Sequence, residues 1–285
     1  MRLALLAAVA LAASVIAAGC GSRNEPAATP PPGETVVRTV AANELTKQSR
    51  LPTCVDLDSP PFAFTEAGRK TGFEVQLLER IARRLGLGVV WVPTPRSELA
   101  AALKARKCDV IVSRLGYDLD TQFRLDVGAL QYMALPLALV VPNGSSTMPV
   151  DFADLCGRRL AVVAWTAPAF LAREQEKTCL DEGQPELRFT EAPTEAKALE
   201  LVRSGRADAL LDDSFSASAL LAADDGFGIA DVTGRKGYTS FGYRKPGLSI
   251  EAGVRAALLT LYEDGVVQRL VKRWQLEDAT LLPLP

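Results

Sequence analysis

Five cysteines and not one histidine set the limits of what this chain can do chemically. Without imidazole it lacks the commonest general base, the Ser-His and Cys-His nucleophile pairs and the usual zinc ligand. Any catalysis would fall to carboxylates, lysine or tyrosine, so no catalytic residue is assigned and the chain is read as a non-enzyme. Cys54, Cys108, Cys156 and Cys179 form an even set, which in an exported chain points to disulfides. Three pairings are possible, and local context chooses among them. Cys156 and Cys179 flank one strand-helix unit and would close a loop of about 24 residues. Cys54 and Cys108 each open a strand, CVDLD and CDVIVS, and could be neighbours in a parallel sheet. Each bridge would contribute roughly 3 kcal/mol. No CxxC spacing offers a metal site, and neither metal nor cofactor is expected.

The fifth cysteine has a different setting. Met1-Arg2 is a short positive start, Leu3 to Ala18 is almost purely apolar, and Ala17-Ala18-Gly19-Cys20 closes the run. Such a segment is too short and wrongly flanked for a membrane span and reads as a secretory signal over residues 1–19. A cysteine directly after the small residues resembles a bacterial lipobox, although that pattern prefers Leu where Ala17 stands. Cys20 is therefore expected to be the acylated first residue of the mature protein. Asn24 to Thr35 then carries four prolines and no large apolar side chain, so it cannot bury a core and serves as a semi-rigid spacer. The linker is placed over residues 20–50, with folding expected to start near Arg50 or Leu51.

Composition bounds the remainder. Hydrophobic residues at 48% with 23% charged are ordinary globular chemistry. Removing Arg2 with the signal leaves 31 basic side chains (32 − 1) against 34 acidic ones, a balance of −3. No basic surplus exists to drive nucleic-acid binding.

Strands and helices alternate along the domain. Thr53-Asp56 reads as a strand, Glu74-Leu85 as an amphipathic helix stopped by Gly86, and Val89-Val92 as a strand. Glu98-Ala105 reads as a helix and Asp109-Ser113 as a buried strand. A second series follows, with Leu160-Ala164, Glu186-Thr190 and Ala209-Asp212 as strands. Thr166 caps a helix that carries Pro168 in its first turn, and Thr194-Ser204 forms another. Phe241-Lys245 is a last strand, and Ile250-Glu263 and Val266-Trp274 are two closing helices. Two α/β series, each a mostly parallel sheet flanked by helices, predict two lobes facing across a cleft. Lobe 1 is expected over 51–135 and 240–285, and lobe 2 over 136–239. Ligands in such sheets sit outside the carboxyl ends of the strands.

Four segments resemble the bacterial extracellular solute-binding proteins of family 3, which serve polar amino-acid ABC transporters. They are Cys54-Val55-Asp56 with Pro60-Pro61-Phe62-Ala63-Phe64; Thr71-Gly72-Phe73-Glu74-Val75; Lys107-Cys108-Asp109-Val110-Ile111; and Gly205-Arg206-Ala207-Asp208-Ala209 leading to Asp213. The closing Leu258 to Trp274 also looks like the family's terminal helical pair. The resemblance implies the two-lobed type II periplasmic-binding-protein fold, a small-molecule solute and an ABC permease as partner. It also implies a monomer held on the periplasmic side of the membrane by its lipid. Carried over residue by residue, Asp56 stands near the bound amine and Asp213 matches the second-lobe carboxylate for an α-ammonium. Adjacent Asp212 makes one of this pair a solvated side chain. Thr166 matches the helix-start threonine facing a ligand carboxylate, and Ser113 a loop position contacting ligand. Phe62 belongs to the same set.

Departures from the family pattern are equally informative. The family's Thr-x-x-Arg, whose arginine grips the ligand carboxylate, falls on Tyr117 to Gln122 here, with no arginine in register and Arg124 displaced. Ser59 and Arg96 stand at aromatic positions, Arg114 at a small or glycine position, and Trp165 at a glycine. One reading is a rebuilt pocket, with Arg114 and Arg96 supplying the anion contact, Trp165 a wall and Gln122 a polar contact. The other is that both arginines are solvated and solute binding is lost. No paired acids are evident near Arg114, which argues against a cyclohexadienyl dehydratase of this fold. A non-transport sensor or docking lipoprotein is the alternative function.

Overall fold

The computed structural model describes residues 36–37, 40–116, 127–146, 150–222 and 224–284; the apolar run at 3–18, Cys20, the Pro-rich stretch, Gln122 and Arg124 lie outside them. In chain order the first half contains β1 (Arg50–Val55), β2 (Asp58–Ser59), β3 (Ala63–Glu66), β4 (Arg69–Thr71) and α1 (Phe73–Arg84). It continues with β5 (Gly88–Pro93), a 3₁₀ turn (Arg96–Glu98), α2 (Leu99–Lys104) and β6 (Val110–Leu115). A long strand, β7 (Val127–Pro142), leads to β8 (Val150–Asp151), β9 (Arg159–Val163), α3 (Ala167–Asp181), β10 (Arg188–Ala192), α4 (Glu195–Arg203), β11 (Ala209–Asp213) and α5 (Ser214–Leu221). The chain returns along β12 (Phe227–Arg244) and ends with α6 (Leu248–Glu263), α7 (Val266–Arg273) and β13 (Thr280–Leu281).

The alternation fixes the topology. β1 pairs in parallel with β5 and β6, and β9 with β10 and β11, as expected when helices cover the crossovers. The full order is β10-β9-β11-β7-β12-β6-β1-β5, so both halves share one hydrogen-bonded path through the antiparallel pair β7/β12. These strands have 16 and 18 residues, and the second is far longer than the Phe241-Lys245 strand read from sequence. Their register shifts between Val232 and Lys236 and between Thr239 and Ser240, where the ladder passes from one half to the other.

Separate cores make the halves into lobes. One is built on Phe73, Leu77, Ile81, Tyr132, Phe241 and Leu258, with Val75, Leu77, Leu78, Ile81 and Ala82 of α1 turned inward at helical spacing. The other half packs Leu160, Val162 and Leu211 on one sheet face and Ala161, Leu199 and Leu210 on the opposite one. Each lobe carries one disulfide. Cys54–Cys108 joins β1 to the entry of β6 with Cα atoms 5.6 Å apart, and Cys156–Cys179 ties α3 to the turn before β9 at 5.7 Å.

The folded body begins earlier than Arg50, which corrects the linker boundary. Val37 and Val40 pack on the first core, and Leu45 is buried. The Glu44 carboxylate accepts the backbone N–H groups of Ser249 and Ile250 at the start of α6, and Asp109 accepts from Thr46. A few apolar residues spaced among polar ones give no periodic signal, so docking of this arm was invisible to pattern reading. Among the described residues no helix is long and apolar enough to cross a membrane.

Candidate functional site

β6 ends in Ser113-Arg114-Leu115, and β11 ends in Asp212-Asp213, so both sequences deliver their polar residues to the seam between the lobes. Arg114 is 2% exposed and lies at φ +47°, a left-handed conformation that side chains rarely adopt. Glu74, at the start of α1, holds that backbone by accepting the Arg114 N–H at 2.9 Å. The guanidinium then crosses the seam. Its Nη1 donates to Asp212 Oδ1 at 3.0 Å and to Asp213 Oδ2, and its Nη2 donates to Glu195 Oε1. Its carbon lies 5.5 Å from the centroid of the Phe62 ring, a cation over an aromatic face.

Two of the three acids are fixed by lobe 2 itself, and the Glu195 carboxylate is held from lobe 1 by Ser59 and Arg114. Asp213 caps α5, its Oδ1 accepting from the N–H groups of Phe215 and Ser216 at 3.1 and 2.9 Å. Asp212 Oδ1 accepts the Asp213 N–H at 2.8 Å, while its buried Oδ2 has no partner among the described residues. Glu195 opens α4 just after Thr194, whose hydroxyl caps that helix. Burial pushes the Asp212 carboxyl up to about 7, against the pull of Arg114. Burial works against the Arg114 cation too, but Asp213, Asp212 and Glu195 outweigh it and hold its pKa well above the ordinary arginine value.

A second cluster belongs to lobe 1. Arg96, also 2% exposed, places Nε 3.2 Å from Asp56 Oδ2 and donates from Nη1 to the Ser113 carbonyl at 2.7 Å. Its Nη2 donates to Ser59 Oγ at 2.5 Å, and Ser59 donates across the seam to Glu195 Oε1 at 3.1 Å. The Ser113 hydroxyl accepts the Asp56 N–H and donates to Val112, which leaves it committed to backbone. Burial raises the carboxyl of Asp56, opposed by Arg96. Beside this cluster lies a cavity of about 410 Å³ lined by Asp56, Asp58, Thr94 and Arg96 from lobe 1 and by Pro193 and Thr194 from lobe 2.

Backbones also meet at the seam. The Gly116 N–H donates to the Trp165 carbonyl at 2.9 Å, and a side chain at Gly116 would strike the backbone of Thr166 and Ala167. Trp165 sits at φ +64° and packs on the lobe 1 cluster of Cys54, Ile111 and Leu115. Thr166 holds the N-cap position of α3, yet its hydroxyl donates to the Val163 carbonyl at 2.6 Å instead of accepting from the helix.

A family model of the bacterial extracellular solute-binding proteins, family 3, matches residues 51–277. The chain belongs to that family. L-cystine-binding protein TcyJ of Escherichia coli K12 is 24% identical over 223 residues, covering 78% of this chain and 80% of its own. Virulence sensor protein BvgS of Bordetella bronchiseptica is 31% identical over 231 residues, 79% of this chain but 17% of BvgS. Among solved structures, the ancestral amino acid-binding protein AncCDT-1, a precursor of cyclohexadienyl dehydratase, superposes with a TM-score of 0.66 at 25% identity. It covers 82% of this chain and 99% of that one. The fold is the two-lobed type II periplasmic-binding arrangement.

In this member of family 3, Asp56, Ser59, Phe62, Arg96, Ser113, Arg114, Trp165, Thr166 and Asp213 all come to the seam or its rim, whereas Gln122 lies outside the described residues. Three sequence expectations need correction. Neither Asp212 nor Asp213 is solvated, since β11 ends inside the seam and buries both. Neither Arg96 nor Arg114 is a solvated loop residue, because both are themselves buried, Arg96 against half-buried Asp56 and Arg114 against buried Asp212. Acids do surround Arg114, supplied by elements distant in sequence. Glu195 and Glu74 were missed as members of the site. Glu195 follows a helix-capping threonine, where an acid reads only as dipole compensation, and Glu74 sits in a helix-opening GFE segment on an otherwise apolar face.

Proposed function

We propose that this chain captures a small polar solute, amino-acid-like or anionic, in the interlobe cleft on the extracytoplasmic side and delivers it to an ABC permease. An acyl chain on Cys20 would hold it at the membrane. The observation that carries the reading is the cavity of about 410 Å³ in which Asp56 and Arg96 of one lobe face Thr194 of the other. That volume lies in the range of small-ligand sites. A carboxylate and a guanidinium at one end offer an acceptor for an ammonium and a donor for a carboxylate. In this reading Asp56 and Arg96 touch solute, Ser59 and Ser113 hold them in place, and Leu57, Thr94, Pro95 and Pro193 form the walls. Relatives named for cystine and amino-acid binding support it. Native mass spectrometry of the purified mature domain, followed by calorimetry against amino acids, cystine and dicarboxylates, is expected to find one class that binds. Arg96→Ala should weaken that binding at least tenfold. A panel in which nothing binds, or an unaffected Arg96→Ala protein, would end the proposal.

A second reading is a non-transport lipoprotein serving as sensor or partner-docking module. The likeness to a segment of BvgS favours it. It predicts no solute in the panel and a permease-free gene neighbourhood. Dehydratase chemistry is tested by adding prephenate or arogenate, and no turnover is expected because the acids around Arg114 are engaged by it.

A further inference from the structure

We infer that Arg114 is a tethered guest: Asp212, Asp213 and Glu195 over the Phe62 ring form a recognition site for a guanidinium-like cation, and the chain's own side chain occupies it across the seam. A solute whose cationic end uses this site must first displace Arg114.

Four observations carry this. The contacts are those of a bound guanidinium, with two nitrogens shared among three carboxylates and an aromatic face beneath. The acids do not depend on Arg114 for their positions, because Asp213 is fixed by its helix cap, Asp212 by the Asp213 N–H and Glu195 by Ser59. A site preorganised in this way loses little when its occupant leaves. Acceptor capacity is in surplus, since Asp212 Oδ2 is buried and unpartnered among the described residues. Finally, the occupant comes from a backbone position at φ +47° that suits glycine better than arginine. Arginine there is tolerated because its head group is held on the far side of the seam.

Glycine at this position relieves the backbone and removes the guest together, so Arg114→Gly is the informative variant. Stripped of its cation, the acid site repels closure, and small-angle scattering should show a larger radius of gyration than wild type. Calorimetry with methylguanidinium chloride is the probe. Arg114→Gly is expected to bind it at least tenfold more tightly than tetramethylammonium and to contract on binding, while wild type takes up neither. Arg114→Gln, which keeps a β-carbon, gives an independent version, and either variant with native near-ultraviolet dichroism suffices. An unexpanded variant that ignores methylguanidinium, or a wild type that binds it equally well, overturns the inference. The inference rests on the interlobe reading above, but the two fail separately. The solute panel on wild type tests that reading, and methylguanidinium on the variant tests this one.

Discussion

Arg114 and Asp213 join the two lobes through a carboxylate that serves both sides at once. Oδ1 caps α5 within lobe 2, and Oδ2 takes the guanidinium from lobe 1. Cap and ion pair are therefore separable by chemistry. Asparagine is as good a helix cap as aspartate but carries no charge. Asp213→Ala should lose about 1 kcal/mol for the cap and a further share for the ion pair that stays below the ~3–5 kcal/mol of an orphaned buried charge, because Asp212 and Glu195 still hold Arg114. Asp213→Asn should retain the cap share. Urea unfolding of the two variants checks this, and equal losses would mean that the cap contributes nothing.

Asp212 makes stability depend on pH. Its carboxyl is raised by burial from an ordinary 3.8 to about 7, so between those values the folded protein holds a proton that the unfolded chain has released. Stability from this group is full below about pH 4 and is lost as pH rises toward 7, at up to about 1.4 kcal/mol per pH unit. Burial raises Asp56, Asp58 and Glu74 in the same direction, so only a difference isolates Asp212. Asp212→Asn should unfold with a flatter pH profile between 4 and 7 and be more stable than wild type at pH 8. Parallel profiles for the two proteins would refute the assignment.

Much of this arrangement was legible in the chain, and the reason divides cleanly. Helical spacing in Val75 to Ile81 and the β-branched run Asp109 to Ser113 report local burial, so those elements could be placed within a few residues. Two strand contexts made Cys54 and Cys108 possible neighbours, with the pairing left open among three, and the structure joins them. Arg114 and Trp165 stood out because the resemblance put small residues where they occur, and both lie at positive φ. What stayed hidden was pairing across distance. The separations from Arg114 to Glu195 and to Asp213 are 81 and 99 residues, and no local pattern tells a buried acid at a helix start from a solvated one. The arm at 40–49 was missed likewise, since its contacts are made to Asp109 and α6, far along the chain.

The two disulfides should differ in weight. Their sequence separations are 54 and 23 residues, and loop closure makes the longer constraint the larger. Cys54→Ser/Cys108→Ser should cost about 4 kcal/mol and Cys156→Ser/Cys179→Ser about 3 kcal/mol. The first pair also joins the strands that carry Asp56 and Ser113, so its removal should weaken solute binding as well as lower Tm. Chemical unfolding and calorimetry on both double variants test the ranking, and a reversed order would show that native-state packing outweighs chain entropy.

Gly116 offers a way to open the lobes without touching a charge. Its N–H reaches the Trp165 carbonyl, and the backbones of Thr166 and Ala167 occupy the space a β-carbon would need. An alanine methyl there cannot be relieved by rotating a side chain, because the obstructing atoms are main chain. Most of each core lies within its own lobe, so the cheaper relief is to part the lobes, at the expense of the Trp165 and Phe215 packing across the seam. Parting them also breaks the Arg114 pairs, which resists the movement and sets a contest between one steric contact and three buried acid contacts. Gly116→Ala in wild type should therefore expand only partly, with a small rise in radius of gyration. In the Arg114→Gly background the same methyl meets only the Ser59–Glu195 hydrogen bond and the Trp165 packing, and the lobes should stand further apart. Scattering curves of the two proteins at matched concentration decide the matter, and an identical radius in both backgrounds would mean that Arg114 does not hold the seam shut.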